Sequence, residues 1–276
     1  MEYIKIDENN LESEHICCAI SKNNDPQVCS KKEWIRENLA KGLVFLKADA
    51  RGKCFIEYMP AENAWQPIKA DGYNFINCFW VSGSLKGNGY ANELLSACIE
   101  DSRQNGKKGI CVISSKKKLS FLSDPKYLAY KGFITADCAE PYFELLYLPF
   151  ENDAEKPCFL PCAKKPHINK SGVVIYYTAQ CPFNAKYIPL LKDIAEKNKA
   201  GFQAIKITSA DSAKEAPTAH TSFTMFYNGE FVTHEILSEK KFQKFCMKTF
   251  YKIFSIRNRR LTNYTVRFIE RNRKIL

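Results

Sequence analysis

A short loop with two glycines, residues 84–89, has the spacing of an anion-binding site. It reads Ser-Leu-Lys-Gly-Asn-Gly, and a helix is predicted to begin directly after it, at Tyr90. In a Gly-x-Gly loop that leads into a helix, exposed backbone N–H groups and the positive helix end point at the anion, and the missing Cβ atoms let it approach. The chemistry expected here is the binding of phosphate or pyrophosphate.

Three kinds of phosphate-binding loop can be compared with these residues. A Walker loop requires Gly-Lys-Ser/Thr, which is absent. A Rossmann fingerprint requires a small residue at position 92, where Asn92 stands, and an acid after the second strand, where Lys116, Lys117 and Lys118 stand. The interpretation that remains is a coenzyme A pyrophosphate loop, with a structural turn that binds no ligand as its alternative.

The elements around the loop form a strand–loop–helix–strand unit. Tyr73–Val81 is a strongly apolar and aromatic strand that ends at the loop, and residues 109–114 form a second strand. The helix between them carries its apolar residues at helical spacing, on one face: Ala91, Leu94, Leu95, Cys98 and Ile99. The N-terminal part is therefore predicted to be mixed α/β.

This unit resembles motif A of the GNAT N-acetyltransferases, whose loop reads Gln/Arg-x-x-Gly-x-Gly/Ala. Ser84 departs from that pattern at the first position, and Lys86 is a candidate for the missing positive charge. The segment 131–133, Lys-Gly-Phe, is similar to the end of the family's motif B, and the strand 142–150 fits its last strand. The block as a whole is similar to the YoaP-type branch of the family. The resemblance implies a GNAT fold with a central mixed sheet.

The resemblance also implies the donor substrate, acetyl-CoA, in a cleft where strands 73–81 and 109–114 splay apart. The backbone of residues 79–81 would pair with the pantetheine arm, and the N–H groups of residues 87–92 would hold the pyrophosphate. The cofactor-binding residues expected on this basis are Phe79, Trp80, Val81, Lys86, Gly87, Asn88, Gly89, Tyr90, Ala91 and Asn92.

GNAT enzymes use direct attack of a neutral amine on the thioester, which requires a base for the amine and an acid for the leaving thiolate. The family's acid is a tyrosine four residues before the closing glycine, and that position is Leu128 here. Tyr127 and Tyr130 flank it and are the candidates for the acid, Tyr127 being preferred, with packing as the alternative role. Glu57 and Glu62 are the candidates for the base, although an exposed glutamate is usually only solvated.

The C-terminal part resembles thioredoxin. Cys181 follows the strand Val173–Tyr177 at the start of a helix, where that family has its first active-site cysteine, and Pro189 matches the helix proline. Asn184 replaces the second cysteine, and Thr221 stands where a cis-proline is usual. Without the second thiol, dithiol exchange cannot be completed within this motif. A monothiol that forms mixed disulfides and a module for packing or substrate binding both remain open.

Length and composition suggest two domains. A chain of 276 residues exceeds one ordinary domain, and 45% hydrophobic residues indicate a globular protein. We predict a GNAT domain at 1–150, a linker at 151–170, a thioredoxin-like domain like that of YoaP-type proteins at 171–246 and a basic tail at 247–276. The linker contains a Cys-x3-Cys-x4-His cluster that lacks a fourth ligand, so no metal site is predicted.

The net charge of +11 arises from the end of the chain. Residues 240–276 hold twelve of the 41 basic residues and one of the 30 acidic ones, so residues 1–239 are neutral overall. A solvated extension explains such a tail, and nucleic-acid binding is a weaker interpretation. No stretch has the roughly 18 uncharged residues of a membrane span, and the N-terminus lacks a secretory pattern. The twelve cysteines then indicate a reducing, cytoplasmic location.

The sequence therefore predicts an acetyl-CoA-dependent N-acetyltransferase that acts on a primary amine of a small molecule or peptide. One alternative is a CoA-binding or partner-binding protein without acetyl transfer. Another is a thiol-dependent binding or redox protein that uses Cys181. The residues specify neither the acceptor amine nor the oligomeric state.

Overall fold

The structure is a computed structural model, and it describes residues 1–16, 18 and 22–249. The basic tail predicted at 247–276 lies outside the described residues except for its first three positions. Two β-sheets organise the remainder, one in each half of the chain.

The larger sheet has seven strands in the order β1-β2-β3-β5-β6-β8-β7. Their bounds are β1 Tyr3–Lys5, β2 Val44–Ala48, β3 Cys54–Pro60, β5 Tyr73–Val81, β6 Gly109–Ser115, β7 Ile134–Ala139 and β8 Phe143–Pro149. All neighbouring pairs are antiparallel except β5 and β6, which run parallel. This is the central mixed sheet that the sequence predicts, and the mixed α/β fold class is confirmed.

The two parallel strands separate after a short contact. Residues 73–75 of β5 pair with residues 109–111 of β6, and no pairing between the two strands extends beyond them. β6 continues along its full length against β8 on its other side. On β5, Asn77 has no partner on β3, because the register shifts between Glu57 and Tyr58 and leaves a β-bulge. The sheet therefore opens into a cleft at the bulge.

Helices cover both faces of this sheet. They are α1 Pro26–Leu39, α2 Tyr90–Gln104, α3 Pro125–Tyr130 and the short α4 Pro161–Lys164. On α2, Leu94, Leu95 and Cys98 are fully buried against β3, β5 and β6, so the apolar face that the sequence predicts does pack on the sheet. This packing holds the N-terminus of α2, and with it the glycine loop, at the mouth of the cleft.

The second half of the chain contains a four-stranded sheet in the order β11-β10-β12-β13. Its elements are β10 Val173–Tyr177, α5 Phe183–Lys197, β11 Phe202–Lys206, α6 Ala210–Lys214, β12 Phe223–Tyr227 and β13 Glu230–Thr233, and residues 239–249 are helical. β10 and β11 are parallel and are joined by α5, whereas β12 and β13 are antiparallel additions. We call residues 171–249 the second unit.

The predicted linker, residues 151–170, contains regular structure. It includes α4 and the strand β9 (Cys158–Phe159), which pairs with β4 (Ile68–Lys69). Within the described residues, no group of His, Cys, Asp or Glu side chains could hold a metal ion. No helix in the described part of the chain is long and apolar enough to cross a membrane.

Candidate active site

A cavity of about 960 Å³ occupies the place where β5 and β6 separate. One end is formed by the loop and helix N-terminus at residues 85–92, and the middle by β5 residues 75–81. The other end is formed by side chains of the second unit, among them Gln180, Cys181 and His220. We call these the cofactor end and the inner end.

The glycine loop has the backbone geometry that an anion site requires. Gly87 has φ +88° and Gly89, the N-cap of α2, has φ +83°, which is the left-handed region that favours glycine. A Cβ at either position would meet no other group, so the space in front of the loop is open. Within the described part of the chain, the backbone N–H groups of residues 87–91 find no acceptor.

Nine of the ten residues predicted to bind the cofactor line the cavity: Phe79, Trp80, Val81, Lys86, Gly87, Gly89, Tyr90, Ala91 and Asn92. The tenth, Asn88, turns its side chain back to donate a hydrogen bond to the carbonyl of Ser84, at 3.0 Å. It thereby closes the loop. The nitrogen of Lys53 lies 4.0 Å from the ring centre of Trp80, which adds a positive charge behind β5.

The two candidate tyrosines lie in different environments. Tyr127 lines the cavity, its hydroxyl donates to Asn92 Oδ1 at 3.2 Å, and its ring packs 5.8 Å from that of Phe79. Burial raises the pKa of Tyr127 to about 12, so the phenol keeps its proton at neutral pH. Tyr130 is 81% exposed on the outer face of α3 and is not part of the cavity wall. Of the two candidate tyrosines, only Tyr127 contributes to the cavity wall.

Neither candidate glutamate faces the cavity. Glu57 is fully buried on β3, where it forms an ion pair with Lys31 and accepts a hydrogen bond from Trp34 Nε1 at 3.3 Å. Glu62 lies beyond β3, where it accepts from the N–H of Gly72 at 2.7 Å. Both carboxylates are absent from the cavity wall, so the structure gives neither of them the position of a general base.

Cys181 lies in the cavity wall, immediately before α5. Burial raises the pKa of its thiol to about 11, although the N–H of Phe183 and the charge of Lys31 act in the opposite direction. The thiol is therefore largely protonated at neutral pH, which disfavours thiolate chemistry. In the same unit, Thr221 is buried against the first half of the chain: its hydroxyl donates to the carbonyl of Trp65. The thioredoxin-like assignment of this unit stays a prediction.

Sequence reasoning missed the side chains that form the inner end. Lys31, Gln180, His220 and His234 all line the cavity, and they come from four separate segments. Lys31 Nζ donates to the carbonyl of Gln180 at 2.8 Å, across 149 positions of sequence. No local pattern marks residues that converge over such separations. His220 directly precedes Thr221, which stands where thioredoxins usually have a cis-proline. This is the one sequence signal that could have identified His220 as a site residue.

Comparison with known proteins identifies the family. The YoaP-like family profile matches residues 202–244. The chain is 45% identical to the uncharacterized N-acetyltransferase YoaP of Bacillus subtilis (strain 168) over 245 aligned residues. The alignment covers 88% of this chain and 98% of that protein. The chain belongs to the YoaP family of N-acetyltransferases. The membership predicted from the sequence is confirmed.

Solved structures show more distant likeness. A GNAT-family acetyltransferase from Staphylococcus aureus Mu50 is 15% identical to this chain, with a TM-score of 0.39. The superposition covers 54% of this chain and 99% of that protein. A GNAT-family acetyltransferase from Brucella melitensis, in complex with acetyl-CoA, is 16% identical, covering 55% and 89%, with a TM-score of 0.33. These TM-scores are low, so the likeness identifies no residue of the site.

Proposed function

We propose that the protein transfers the acetyl group of acetyl-CoA to a primary amine, by direct attack of the amine nitrogen on the thioester carbon. Membership in an N-acetyltransferase family supports this reaction. The observation that carries the proposal is one continuous cavity that joins the glycine loop to the opened edge of β5. Such a cavity accommodates a long ligand with a phosphate group at one end and a reactive group at the other.

The cofactor end suits the pyrophosphate of acetyl-CoA. Five consecutive backbone N–H groups, residues 87–91, have no acceptor among the described residues, and α2 directs its positive end at the same space. The Lys86 side chain lines the cavity beside them. Backbone donors and the helix dipole supply most of the attraction in such sites, because they are fixed before the anion arrives.

The middle of the cavity suits the pantetheine arm. Beyond Phe75, no strand of the described residues pairs with β5 on the side of β6, so this edge is open to a ligand. An extended amide chain can pair with such an edge as an added strand. Residues 79–81 lie along this edge and line the cavity, which supports a position for the arm between the glycine loop and the bulge at Asn77.

Tyr127 is the residue we assign to the general acid. Its hydroxyl reaches Asn92 on α2 and its ring contacts Phe79, so it lies between the loop and the edge of β5. When the carbon–sulfur bond breaks, the CoA thiolate would take the phenolic proton. The proposal leaves out Tyr130, Glu57 and Glu62, since none of them lines the cavity.

The setting of the reaction is part of the same proposal. A cytoplasmic location agrees with the eleven described cysteines, all of which are free thiols. The acceptor is proposed to be an amine-bearing small molecule or peptide, as predicted from the sequence.

Calorimetric titration of acetyl-CoA tests the cofactor site. Gly89→Glu would place a carboxylate in front of the open N–H groups, and Gly87→Glu would do the same two residues earlier. Gly106→Glu is the matched control: it also changes a glycine with positive φ (+64°) in open space, but after the other end of α2. We expect acetyl-CoA binding to be lost in the first two variants and kept in the third. A folded, unaltered protein that does not bind acetyl-CoA would refute the proposal.

A further inference from the structure

The second unit reaches the cavity at the point where the acetyl group would lie. Gln180 Nε2 donates to the carbonyl of Asn77, at 3.0 Å, and Asn77 is the bulged residue at which β5 and β6 have separated. With the pyrophosphate at residues 87–91 and the pantetheine arm along residues 79–81, the thioester comes next, near Asn77. The inner end is therefore the place from which the acceptor amine approaches.

The second unit is fixed in this position by several contacts. Lys31 Nζ, already paired with Glu57, also donates to the carbonyl of Gln180. The backbone N–H of Thr221 donates to Gln66 Oε1 at 3.2 Å, and His234 Nε2 contacts the carbonyl of Ser120 at 2.8 Å. These bonds join the two halves of the chain on opposite sides of the cavity. The inner wall is thus a preformed surface.

The inner end has no negative charge available for a cation. Asp124 is the only carboxylate among the described residues that line the cavity, and it forms an ion pair with Lys118 at 2.6 Å. Lys31 is neutralised by Glu57, and burial lowers the pKa of His220 to about 3, so this imidazole is neutral. A charged amine would lose its hydration here and gain no counter-charge, which is costly. The rest of the wall is mainly apolar, with Leu119, Leu122, Phe223 and Ile236 among its residues.

His220 has a nitrogen that can accept a hydrogen bond from an amine. Its Nδ1 lies 3.5 Å from the carbonyl of Phe223, and a carbonyl only accepts, so Nδ1 carries the proton and Nε2 holds a lone pair. Nε2 has no partner among the described residues. In His234, by contrast, Nδ1 accepts from the Tyr142 hydroxyl at 2.7 Å and Nε2 donates to Ser120. Of the two histidines in the wall, only His220 has a free acceptor.

We propose that the acceptor is a weakly basic primary amine on an uncharged, largely apolar body, such as an arylamine, and that it donates its N–H to His220 Nε2 of the second unit. The inference rests on the proposed acetyl transfer and adds the acceptor class. The amine nitrogen forms a bond to the thioester carbon while the carbon–sulfur bond breaks. The CoA thiolate takes a proton from Tyr127, and the surplus amine proton passes to the Tyr127 phenolate, so the products are the neutral amide and the free thiol. His220 Nε2 stays unprotonated and orients the amine by accepting one of its N–H groups.

Two isomeric amines test the acceptor class without any mutation. Para-toluidine and benzylamine have the same atoms, but at pH 7.5 the first is neutral and the second is mostly protonated. We expect kcat/KM to be at least tenfold higher for para-toluidine, and spermidine and an aminoglycoside to be poorer than both. Preference for benzylamine, spermidine or the aminoglycoside would overturn the inference and leave acetyl transfer intact. Binding of acetyl-CoA without transfer to any of the four would also overturn it. Failure to bind acetyl-CoA would instead refute the proposed function.

Variants at His220 test its role. His220→Phe replaces the imidazole, which stacks on Phe143, with another aromatic ring and removes the acceptor nitrogen. We expect it to lower kcat/KM for para-toluidine about tenfold, the scale of one lost hydrogen bond to the substrate. His220→Asn retains an acceptor and should recover part of the rate. His167→Phe, at an exposed histidine outside the cavity, is the control. Acetyl-CoA affinity is measured for each variant to verify folding, and an unchanged rate in a folded His220→Phe protein would contradict the assignment.

Discussion

The two ends of the cavity are built in different ways. The cofactor end comes from one stretch of chain, residues 85–92, and offers backbone N–H groups that face open space. The inner end brings together side chains that are far apart in sequence, for example Gln180 and Asn77, across 103 positions. One end uses exposed main chain, and the other uses buried side chains.

This difference has a physical consequence for specificity. Backbone donors at a helix N-terminus recognise any phosphate of suitable shape, so the cofactor end can serve a shared donor such as acetyl-CoA. Buried side chains without compensating charge select by desolvation and shape, which is how an acceptor can be discriminated. In the proposed reaction, the first half of the chain would bind the donor and the second unit would select the acceptor.

The largest effect is expected at the buried ion pair between Glu57 and Lys31, whose side chain lines the inner end. Lys31→Met would leave Glu57 buried without its partner, which typically costs about 3–5 kcal/mol in the free energy of unfolding. Burial is the largest single influence and lowers the pKa of Lys31, but the charge and hydrogen bond of Glu57, together with the neighbouring Cys18 and Cys78, overcome it, so the pKa is raised. Urea unfolding measures the loss. The double variant Lys31→Met, Glu57→Leu should recover much of it, because no unpaired charge remains. A loss below about 1 kcal/mol in the single variant would show that the pair is not needed.

The next effect concerns the acid at the boundary between the ends. Tyr127→Phe should lower kcat about 100-fold, within the range for removal of a general acid, and leave the Kd of acetyl-CoA unchanged. The pKa of Tyr127, raised by burial to about 12, means that its proton stays available over the neutral range and is lost only in strong alkali. Steady-state kinetics with Tyr130→Phe as the control measures this, since Tyr130 is 81% exposed. Equal losses in both variants would remove the distinction between the tyrosines.

The cofactor end could be predicted from the sequence because its signals are local. The apolar spacing of α2, the aromatic strand β5 and the two glycines all lie within residues 73–104, and the structure places them as expected. The apolar spacing of a helix and the conformational freedom of glycine each depend on only a few neighbouring residues, so both can be read from a single sequence.

The inner end could not be predicted, because burial and pairing there are decided by tertiary contacts. Glu57 has the sequence context of an ordinary strand glutamate, and nothing nearby shows that Lys31 will meet it. The segment 151–170 has the prolines and charges of a linker, yet β9 finds a partner in β4, about ninety residues earlier. The approach of Gln180 to the bulge likewise needs the packing of two sheets.

A smaller effect is expected at the helix that carries the acid. Asp124 caps α3: its side chain accepts from the N–H groups of Lys126 and Tyr127 and pairs with Lys118. Asp124→Ala should cost about 1 kcal/mol at pH 7. The hydrogen bond from Lys118, followed by those from the backbone, holds the pKa of Asp124 below its usual value, so this contribution is complete above the ordinary carboxyl pKa and is lost as pH falls. Unfolding at pH 7 and in acid measures it, with Asp193→Ala on α5 as control. A cost that does not shrink in acid would contradict the cap.

The smallest effect is expected from a side chain at the cofactor end. If backbone N–H groups hold the pyrophosphate, then Lys86→Gln should weaken acetyl-CoA binding only about threefold, the scale of a solvent-screened ion pair, and the difference should shrink as salt is added. Titration calorimetry at two salt concentrations measures this, with Lys116→Gln, an exposed lysine outside the cavity wall, as the control. A loss of 100-fold or more would mean that this end depends on a side-chain charge. The cofactor end would then no longer differ from the inner end in using main-chain groups rather than side chains.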